Sequence, residues 1–508
     1  MYRIRLIGVE RRQDYDELIR LFLRPDEYRL VDEGEQADET LTLPRDWAEQ
    51  AAARAAAETA RGEAAPAAAA LSADQILAGA KEGETPDRTA ARAARDRLAR
   101  ELYRRLSART GLQPPWGILT GIRPVKLAGE LLRRCGRAGA DRVLRERCLL
   151  RPDKSELALS IYQRQTAALG LPPPQSAGLY VGIPFCPTRC LYCSFASNQV
   201  PEAEIARYLE ALEREIRAVG PLCRAAGIRA ESLYIGGGTP TTLTPAQLQR
   251  LLELLREEFD GPALREITVE AGRPDTITEE KLRVLRDAGV GRISVNPQTL
   301  HQATLERIGR AHTAAQFREA AERVRTAGFD AVNMDLIAGL PGETTAMFLA
   351  SLDGVLALAP ENITVHSLAV KRSSRLRELD PDYHYRRGAA VTEMLEQARQ
   401  KLAAAGYRPY YLYRQKHMSG AQENTGYALP GWEGLYNVRI MDEHQHIIAM
   451  GAGGISKVFF AAENRLERVP NVTNYQIYIE RIEEMIRRKQ HAYQRAEGNE
   501  RCTAGRRL

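Results

Sequence analysis

From residue 178 onward the chain alternates two kinds of apolar pattern. Short runs of period two, Leu179–Phe185, Ser232–Gly236, Glu266–Ala271, Arg292–Pro297, Ala331–Ala338 and Ile363–Ala369, read as strands. Between them, longer segments of helical period, Glu202–Val219, Pro245–Phe259, Glu279–Ala288 and Ala314–Ala327, read as amphipathic helices. Strands in series joined by helical crossovers imply a parallel sheet, and six such strands suit a partly closed (βα)6 TIM-like barrel better than a full eightfold one. Ahead of it, Tyr2–Leu6 alternates as a strand and residues 86–170 carry helical patterns, broken at Leu112–Gly117 and at Gly121–Pro124. The expected class is α/β: a partial barrel with an amino-terminal α/β extension and a carboxy-terminal α+β domain.

Composition sets the divisions. Residues 48–70 are mostly Ala with Arg and Glu, and Leu171-Pro172-Pro173-Pro174 is a stiff spacer. The expected layout is a small α/β element at 1–47, an Ala-rich linker at 48–85, a helical region at 86–174, the barrel at 175–375 and a carboxy-terminal substrate-covering domain at 376–508. A net charge of +6 over 508 residues is mild and spread along helix faces, which argues against nucleic acid as a partner. Runs of about eighteen apolar residues are missing, as is a signal-peptide core behind Met1, so no membrane partner is expected and the location is expected to be cytoplasmic. The seven cysteines are odd in number, and Cys135, Cys148, Cys223 and Cys502 follow no spacing, which speaks against a disulfide framework.

The remaining three cysteines carry chemistry. Cys186, Cys190 and Cys193 form C-x3-C-x2-C, a spacing that can hold three corners of a [4Fe-4S] cluster and leave the fourth iron open to a small molecule. Zinc is the competing reading, but a structural zinc site wants a fourth protein ligand, and no second pair lies nearby. Tyr192 and Phe195 are placed to shield such a cluster, or to pack in the core. The next strand ends in Gly236-Gly237-Gly238-Thr239-Pro240, where bare backbone can approach a ligand, or simply turn. Glu270 and Gln298 follow as strand-end polar groups whose plain reading is a solvated loop. Asp335, inside an apolar strand, needs a hydrogen-bonding partner, either a ligand or a nearby loop.

Taken together, Tyr180-Val181-Gly182-Ile183-Pro184-Phe185-Cys186, the Cys190–Cys193 turn, Gly236–Thr241 and Asp335–Gly342 resemble the radical S-adenosylmethionine enzymes. Within that superfamily they resemble the oxygen-independent coproporphyrinogen III oxidase (dehydrogenase) family over about residues 178–460. Trp116–Pro124 and the long amino-terminal extension look like the coproporphyrinogen dehydrogenase-like branch of Gram-positive bacteria. The resemblance implies Cys186, Cys190 and Cys193 as cluster ligands. It implies Tyr180, Gly237 and Glu270 as contacts of the cluster-bound S-adenosylmethionine, with Tyr180 and Glu270 as catalytic residues. Tyr192, Gly238, Thr239, Gln298, Arg310, Asp335, Ala369 and Ile455 match positions that hold a second S-adenosylmethionine.

The implied reaction belongs to heme and porphyrin biosynthesis. A 5′-deoxyadenosyl radical would attack propionate side chains of coproporphyrinogen III and leave the vinyl groups of protoporphyrinogen IX. The implied partners are a porphyrinogen substrate and an electron donor such as flavodoxin or ferredoxin, acting on a monomer. One position departs: oxidase-type members carry His two residues before the Pro of the I-P-F-C run, and Gly182 stands there. That keeps open a radical enzyme for another substrate, and a heme-binding chaperone of the same fold using His366, His417, His444 or His446. The aromatic and basic run Tyr407–Arg414 suits either a macrocycle bearing carboxylates or a packed lid.

Overall fold

The structure is a computed structural model that describes residues 1–9, 12–32, 34–42, 86–121, 123–461 and 465–504. The Ala-rich tract expected as a linker, and Leu508 at the end of the expected last domain, lie outside the described residues, as does the side chain of Cys502. Two compact units emerge, one comprising Met1–Arg164, Asp382–Ala389 and Leu412–Glu423, the other Gln165–Pro381, Ala390–Tyr411 and the chain from Asn424 on.

In the first unit three parallel strands, β1 (Tyr2–Ile7), β2 (Tyr28–Val31) and β3 (Glu39–Thr42), lie in the order β2-β1-β3. Ile4, Leu6 and Leu41 from this sheet pack with Leu98, Leu102 and Leu106 of the helix Pro86–Thr110. A second core gathers around Trp116, Val125, Leu144 and Ile161. Trp116 is 1% exposed; its indole Nε1 donates to Glu423 at 2.8 Å, and Lys154 pairs with the same buried carboxylate. The Arg414 guanidinium lies 5.5 Å from the Trp116 ring and donates to the carbonyls of Leu119 and Ala421. Trp116 is thus built into a packed polar knot, and Arg414 is committed to backbone oxygens rather than displayed for a substrate.

In the second unit β4 (Ser176–Ile183), β5 (Arg229–Gly237), β6 (Glu266–Glu270), β7 (Arg292–Ser294), β8 (Ala331–Ala338) and β9 (Asn362–Ser367) run parallel, each beside the next. They match the six strands read from the sequence to within a few residues at the ends. The crossover helices start where the sequence supplies caps: Thr244 and Thr313 form capping boxes with Gln247 and Gln316, and Thr278 and Thr344 cap the helices that follow them. Five more strands, β10 (Arg408–Tyr413), β11 (Asn424–Ala428), β12 (His446–Met450), β13 (Ile455–Phe460) and β14 (Arg465–Pro470), extend the same sheet in the order β10-β11-β9-β8-β7-β6-β5-β4-β12-β13-β14.

Strand alternation sorts the side chains into two sets. Leu179, Val181, Ile183, Leu233, Ile235, Val269, Ile293, Val295, Leu336, Ile363 and Val365 belong to the main core with the crossover helices. Burying each contributes roughly 1.5–3 kcal/mol of transfer free energy, which fixes the register of every strand. The alternate residues, Tyr180, Tyr234, Glu270, Ser294, Asn333, Asp335, Thr364 and His366, therefore face the other side as one row of polar and aromatic groups.

Candidate functional site

The carboxyl ends of the parallel strands bring the site together. Beyond β4 the chain enters the cysteine loop, which is held by backbone bonds on several sides. Cys186 N donates to Asn198 O at 3.1 Å, Thr239 N to Phe185 O at 2.7 Å, Leu191 N to Ile308 O at 2.9 Å and Cys193 N to Cys190 O at 3.1 Å. The thiols have distinct neighbours: Cys186 Sγ lies 3.3 Å from Thr239 Oγ1, Cys193 Sγ lies 3.3 Å from Ser197 Oγ, and Cys190 Sγ faces Arg310 at 3.9 Å. Tyr192 is partly covered and bonds Arg310 at 3.4 Å, whereas Phe195 is 66% exposed. Among the described residues no three His, Cys, Asp or Glu side chains are placed to hold a single metal ion. A [4Fe-4S] cube takes one thiolate per iron and has no need of such convergence.

The donor set and its surroundings fit that cube. A Cβ at Gly238 would fall 3.0 Å from Cys186 Sγ and 2.5 Å from Phe185 O, so only a residue without a side chain lets the strand end pass this close to the thiol. Gly237 has φ of +114°, a conformation L residues rarely adopt, and a Cβ there would meet Ile183 N and O at 3.0 Å. The glycine run is thus required by close approach of β5 to the cysteine loop. Arg310, with Nε buried and unpartnered, anchors its other nitrogens on Gly272 O at 2.7 Å and Asn296 O at 2.6 Å, which holds a fixed positive charge beside Cys190.

Next to this edge lies a coupled set of ionisable groups. The Tyr234 hydroxyl donates to Glu270, and Tyr180, Tyr234 and Tyr436 stack, with Tyr234 and Tyr436 centroids 4.7 Å apart and Tyr180 and Tyr234 centroids 6.3 Å apart. Burial pushes the Glu270 carboxyl up to about 7 and Asp335 adds to that, while the bonds from Tyr234 and Gly237 N–H oppose it. Burial, and then the Glu270 charge, hold the Tyr180 phenol well above its ordinary range. Asp335 accepts from Asn333 Nδ2 at 2.7 Å and lies 3.4 Å from His366 Nε2; Asn333 in turn bonds Ser294 at 2.7 Å and Thr364 at 3.0 Å.

Gln298 is in the left-handed region, with φ of +66°, pinned by its N–H to Asp335 O at 2.9 Å and by its carbonyl accepting from Ile337 N at 3.0 Å. Its Oε1 is buried and has no hydrogen-bond partner among the described residues. Ala369 lies two residues past the end of β9, at the same edge. Ile455 is 46% exposed at the start of β13, where it pairs with Pro470 of β14.

Gly182 packs against the turn after β12: a Cβ would lie 3.3 Å from Ala452 O and 3.4 Å from the Tyr180 ring. The turn is held by Tyr208, which donates to Gly182 O at 2.6 Å and accepts from Ala452 N at 3.0 Å. Of the four histidines considered as heme ligands, His366 alone lies toward the carboxyl edge. His446 opens β12 beside Ala177, at the opposite end, with its pKa pushed down to about 4 by burial. His444 pairs with Asp442 at 3.0 Å, and His417 belongs to the first unit beside His384.

Several contributors escaped the sequence reading. Tyr234 shares strand parity with Gly236, a signal that was legible. Arg273 is buried, bonds Thr188 Oγ1 of the cysteine loop at 2.7 Å and pairs with Asp275 at 3.1 Å, and Tyr436 comes from a short helix, Leu435–Asp442, remote in sequence; neither carries a local signal.

A sequence model of the Radical SAM superfamily matches residues 180–354. The chain is 40% identical over 384 residues to the oxygen-independent coproporphyrinogen-III oxidase-like protein HemZ of Bacillus subtilis, covering 74% of this chain and 77% of that protein. It is 33% identical over 294 residues to the heme chaperone HemW of Lactococcus lactis, covering 56% and 70%. It is also 30% identical over 333 residues to the oxygen-independent coproporphyrinogen III oxidase of Pseudomonas aeruginosa, covering 62% and 68%. Among solved structures, the Escherichia coli coproporphyrinogen III oxidase HemN aligns with a TM-score of 0.48 at 25% identity, covering 63% of this chain and 72% of that one.

Proposed function

Because the chain belongs to the radical SAM superfamily, and within it to the oxygen-independent coproporphyrinogen-III oxidase-like family, we propose that it converts two propionates of coproporphyrinogen III to vinyl groups, giving protoporphyrinogen IX. The observation that carries this reading is the meeting at one sheet edge of the three-cysteine loop, the bare Gly237–Gly238 backbone and the coupled Tyr234, Glu270 and Asp335. Cys186, Cys190 and Cys193 would each hold one iron of a [4Fe-4S] cluster. With that cluster and S-adenosylmethionine bound, the chemistry supplied is a 5′-deoxyadenosyl radical able to take hydrogen from a propionate β-carbon.

The chain's own residues do the rest. The Gly237–Gly238 edge offers backbone to the ligand without side chains between. Glu270, poised near neutrality and bonded by Tyr234, would accept the ligand's ammonium, and Tyr180 would cover it from water. Gln298 Oε1, Arg310 and Asp335, with Tyr192, Gly238, Thr239, Ala369 and Ile455, are proposed to hold a second S-adenosylmethionine. An external donor of the flavodoxin or ferredoxin kind would supply one electron per cleavage to a monomeric chain. The assignment of 376–508 to covering the substrate belongs to the same proposal.

The test is anaerobic. Reconstituted protein with dithionite and S-adenosylmethionine should form 5′-deoxyadenosine, and coproporphyrinogen III should raise the rate; a rate the substrate leaves unchanged would refute the substrate assignment.

A second reading, a heme chaperone, is favoured by the similarity to HemW, while Gly182 in place of the oxidase-type His favours a radical enzyme for another substrate. His366 at the carboxyl edge would be the chaperone's heme ligand. Stoichiometric heme binding lost in His366→Ala, without any decarboxylation by the unaltered chain, would select it.

A further inference from the structure

The segment after β9 reads Lys371-Arg372-Ser373-Ser374-Arg375-Leu376-Arg377, with four cationic side chains in seven residues and no acid before Glu378. Arg372 and Arg375 are exposed, and none of the four cations has a side-chain hydrogen bond or ion pair among the described residues. This is unusual in a chain that pairs its surface arginines widely, as Arg137 with Glu156 and Arg250 with Glu213.

The basic segment is tied to the cysteine loop rather than to the surface at large. Arg189 donates to Ser373 O, Ser373 Oγ donates to Ser194 O at 3.0 Å, and Leu376 N donates to Leu191 O at 2.9 Å. Ser374, fully buried, caps the following helix Arg375–Leu379 and bonds Lys371 O at 2.8 Å, so the cations stand on a fixed backbone. Phe195, the residue after Ser194 and two past Cys193, is 66% exposed.

From this juxtaposition we infer that Phe195, Arg189, Arg372 and Arg375 form the docking surface for a small acidic one-electron donor protein that feeds the cluster. The inference rests on the functional reading above, in which each S-adenosylmethionine cleavage consumes one electron. In the docked pair the donor is oxidised by one electron and the cluster is reduced by one; no bond to the protein is made or broken. Electron-transfer encounters are small and transient, so a compact patch with one apolar anchor and a ring of like charge is sufficient. Uncompensated cations call for an acidic partner, which they would steer and orient. Substrate carboxylates are a poorer match, since a porphyrinogen would sit over the interior row of the barrel and leave Phe195 bare.

The experiment follows bleaching of the cluster absorbance after mixing anaerobic, reconstituted full-length protein with fully reduced flavodoxin. The unaltered protein should be reduced about tenfold or more slowly as salt rises from about 20 mM to about 500 mM. Arg372→Glu/Arg375→Glu should lower the low-salt rate by about tenfold or more and flatten the salt dependence, with Arg372→Gln/Arg375→Gln between the two. Iron content, reduction by dithionite and dithionite-driven 5′-deoxyadenosine formation should stay unchanged in both variants. Equal rates and equal salt dependence in all three proteins would overturn the inference. So would an unchanged flavodoxin rate with a raised KM for coproporphyrinogen, which would assign the patch to substrate. An unaltered chain that holds no cluster, or gives no cleavage with dithionite, would fail the functional reading itself, and the docking inference with it.

Discussion

The Tyr234 hydroxyl, on the second strand of the parallel set, donates a hydrogen bond to the Glu270 carboxylate on the third. The bond couples the glycine-rich strand end to a carboxyl whose pKa burial pushes up to about 7. The Glu270 carboxyl titrates near 7 in the folded chain against an ordinary value of 4.5. Its folded pKa is raised, so in that window the folded chain keeps a proton the unfolded chain has released. This contribution to stability is full below about 4.5 and falls as pH rises to about 7. Denaturant unfolding at several pH values should show Glu270→Gln losing less stability across this window than the unaltered chain. Parallel curves would mean that Glu270 is not perturbed.

Neighbouring glycines should fail in different ways. Gly238→Ala puts a Cβ 3.0 Å from Cys186 Sγ, so reconstituted iron should drop sharply. Gly237→Ala forces an L residue to φ of +114° against Ile183, a cost of about 1–3 kcal/mol, and should impair S-adenosylmethionine cleavage with most of the iron retained. Iron and sulfide assays beside 5′-deoxyadenosine quantitation separate the two; identical behaviour would contradict the assignment of distinct roles.

Cys190→Ala should abolish the cluster, since two thiolates do not retain the cube, and the visible absorbance of reconstituted protein should disappear. Tightly bound zinc unaffected by the substitution would return the site to the structural-metal reading.

The turn beside Gly182 depends on a buried charge pair. Glu215 and Lys489 are both fully buried and paired; Glu215 also accepts from Gly451 N at 2.7 Å, Tyr478 at 2.6 Å and Asn471 at 2.9 Å. Lys489→Met strands a buried carboxylate and should cost roughly 3–5 kcal/mol in denaturant unfolding, with Glu215→Gln in the same chain restoring part of it. A change of under about 1 kcal/mol would show that the pair is not what fixes the turn.

Much of this was legible in the sequence, for physical reasons that can be named. Period-two alternation gave the six parallel strands, because their core-facing residues are nearly all Leu, Ile and Val. Strand-end positions then placed Gly237, Glu270 and Gln298 on one edge, with Asp335 inside the neighbouring strand β8. Contacts between distant segments were not legible. Nothing near Tyr436 announces that it stacks on Tyr234, and nothing near Arg273 announces its bond to Thr188. The left-handed backbone of Gln298 is imposed by strand β8, not by its own neighbours. Phe195, read as a shield for a cluster or a core aromatic, is 66% exposed, and nothing in its own neighbours announces that.

The central claim is tested most directly by the product. Anaerobic protein with reconstituted cluster, reductant, S-adenosylmethionine and coproporphyrinogen III should yield, by mass analysis, a tetrapyrrole that has lost two molecules of CO2 and four hydrogens, with 5′-deoxyadenosine formed alongside and both products lost in Cys190→Ala. Unchanged coproporphyrinogen, with 5′-deoxyadenosine formed at a rate the substrate does not alter, would contradict it.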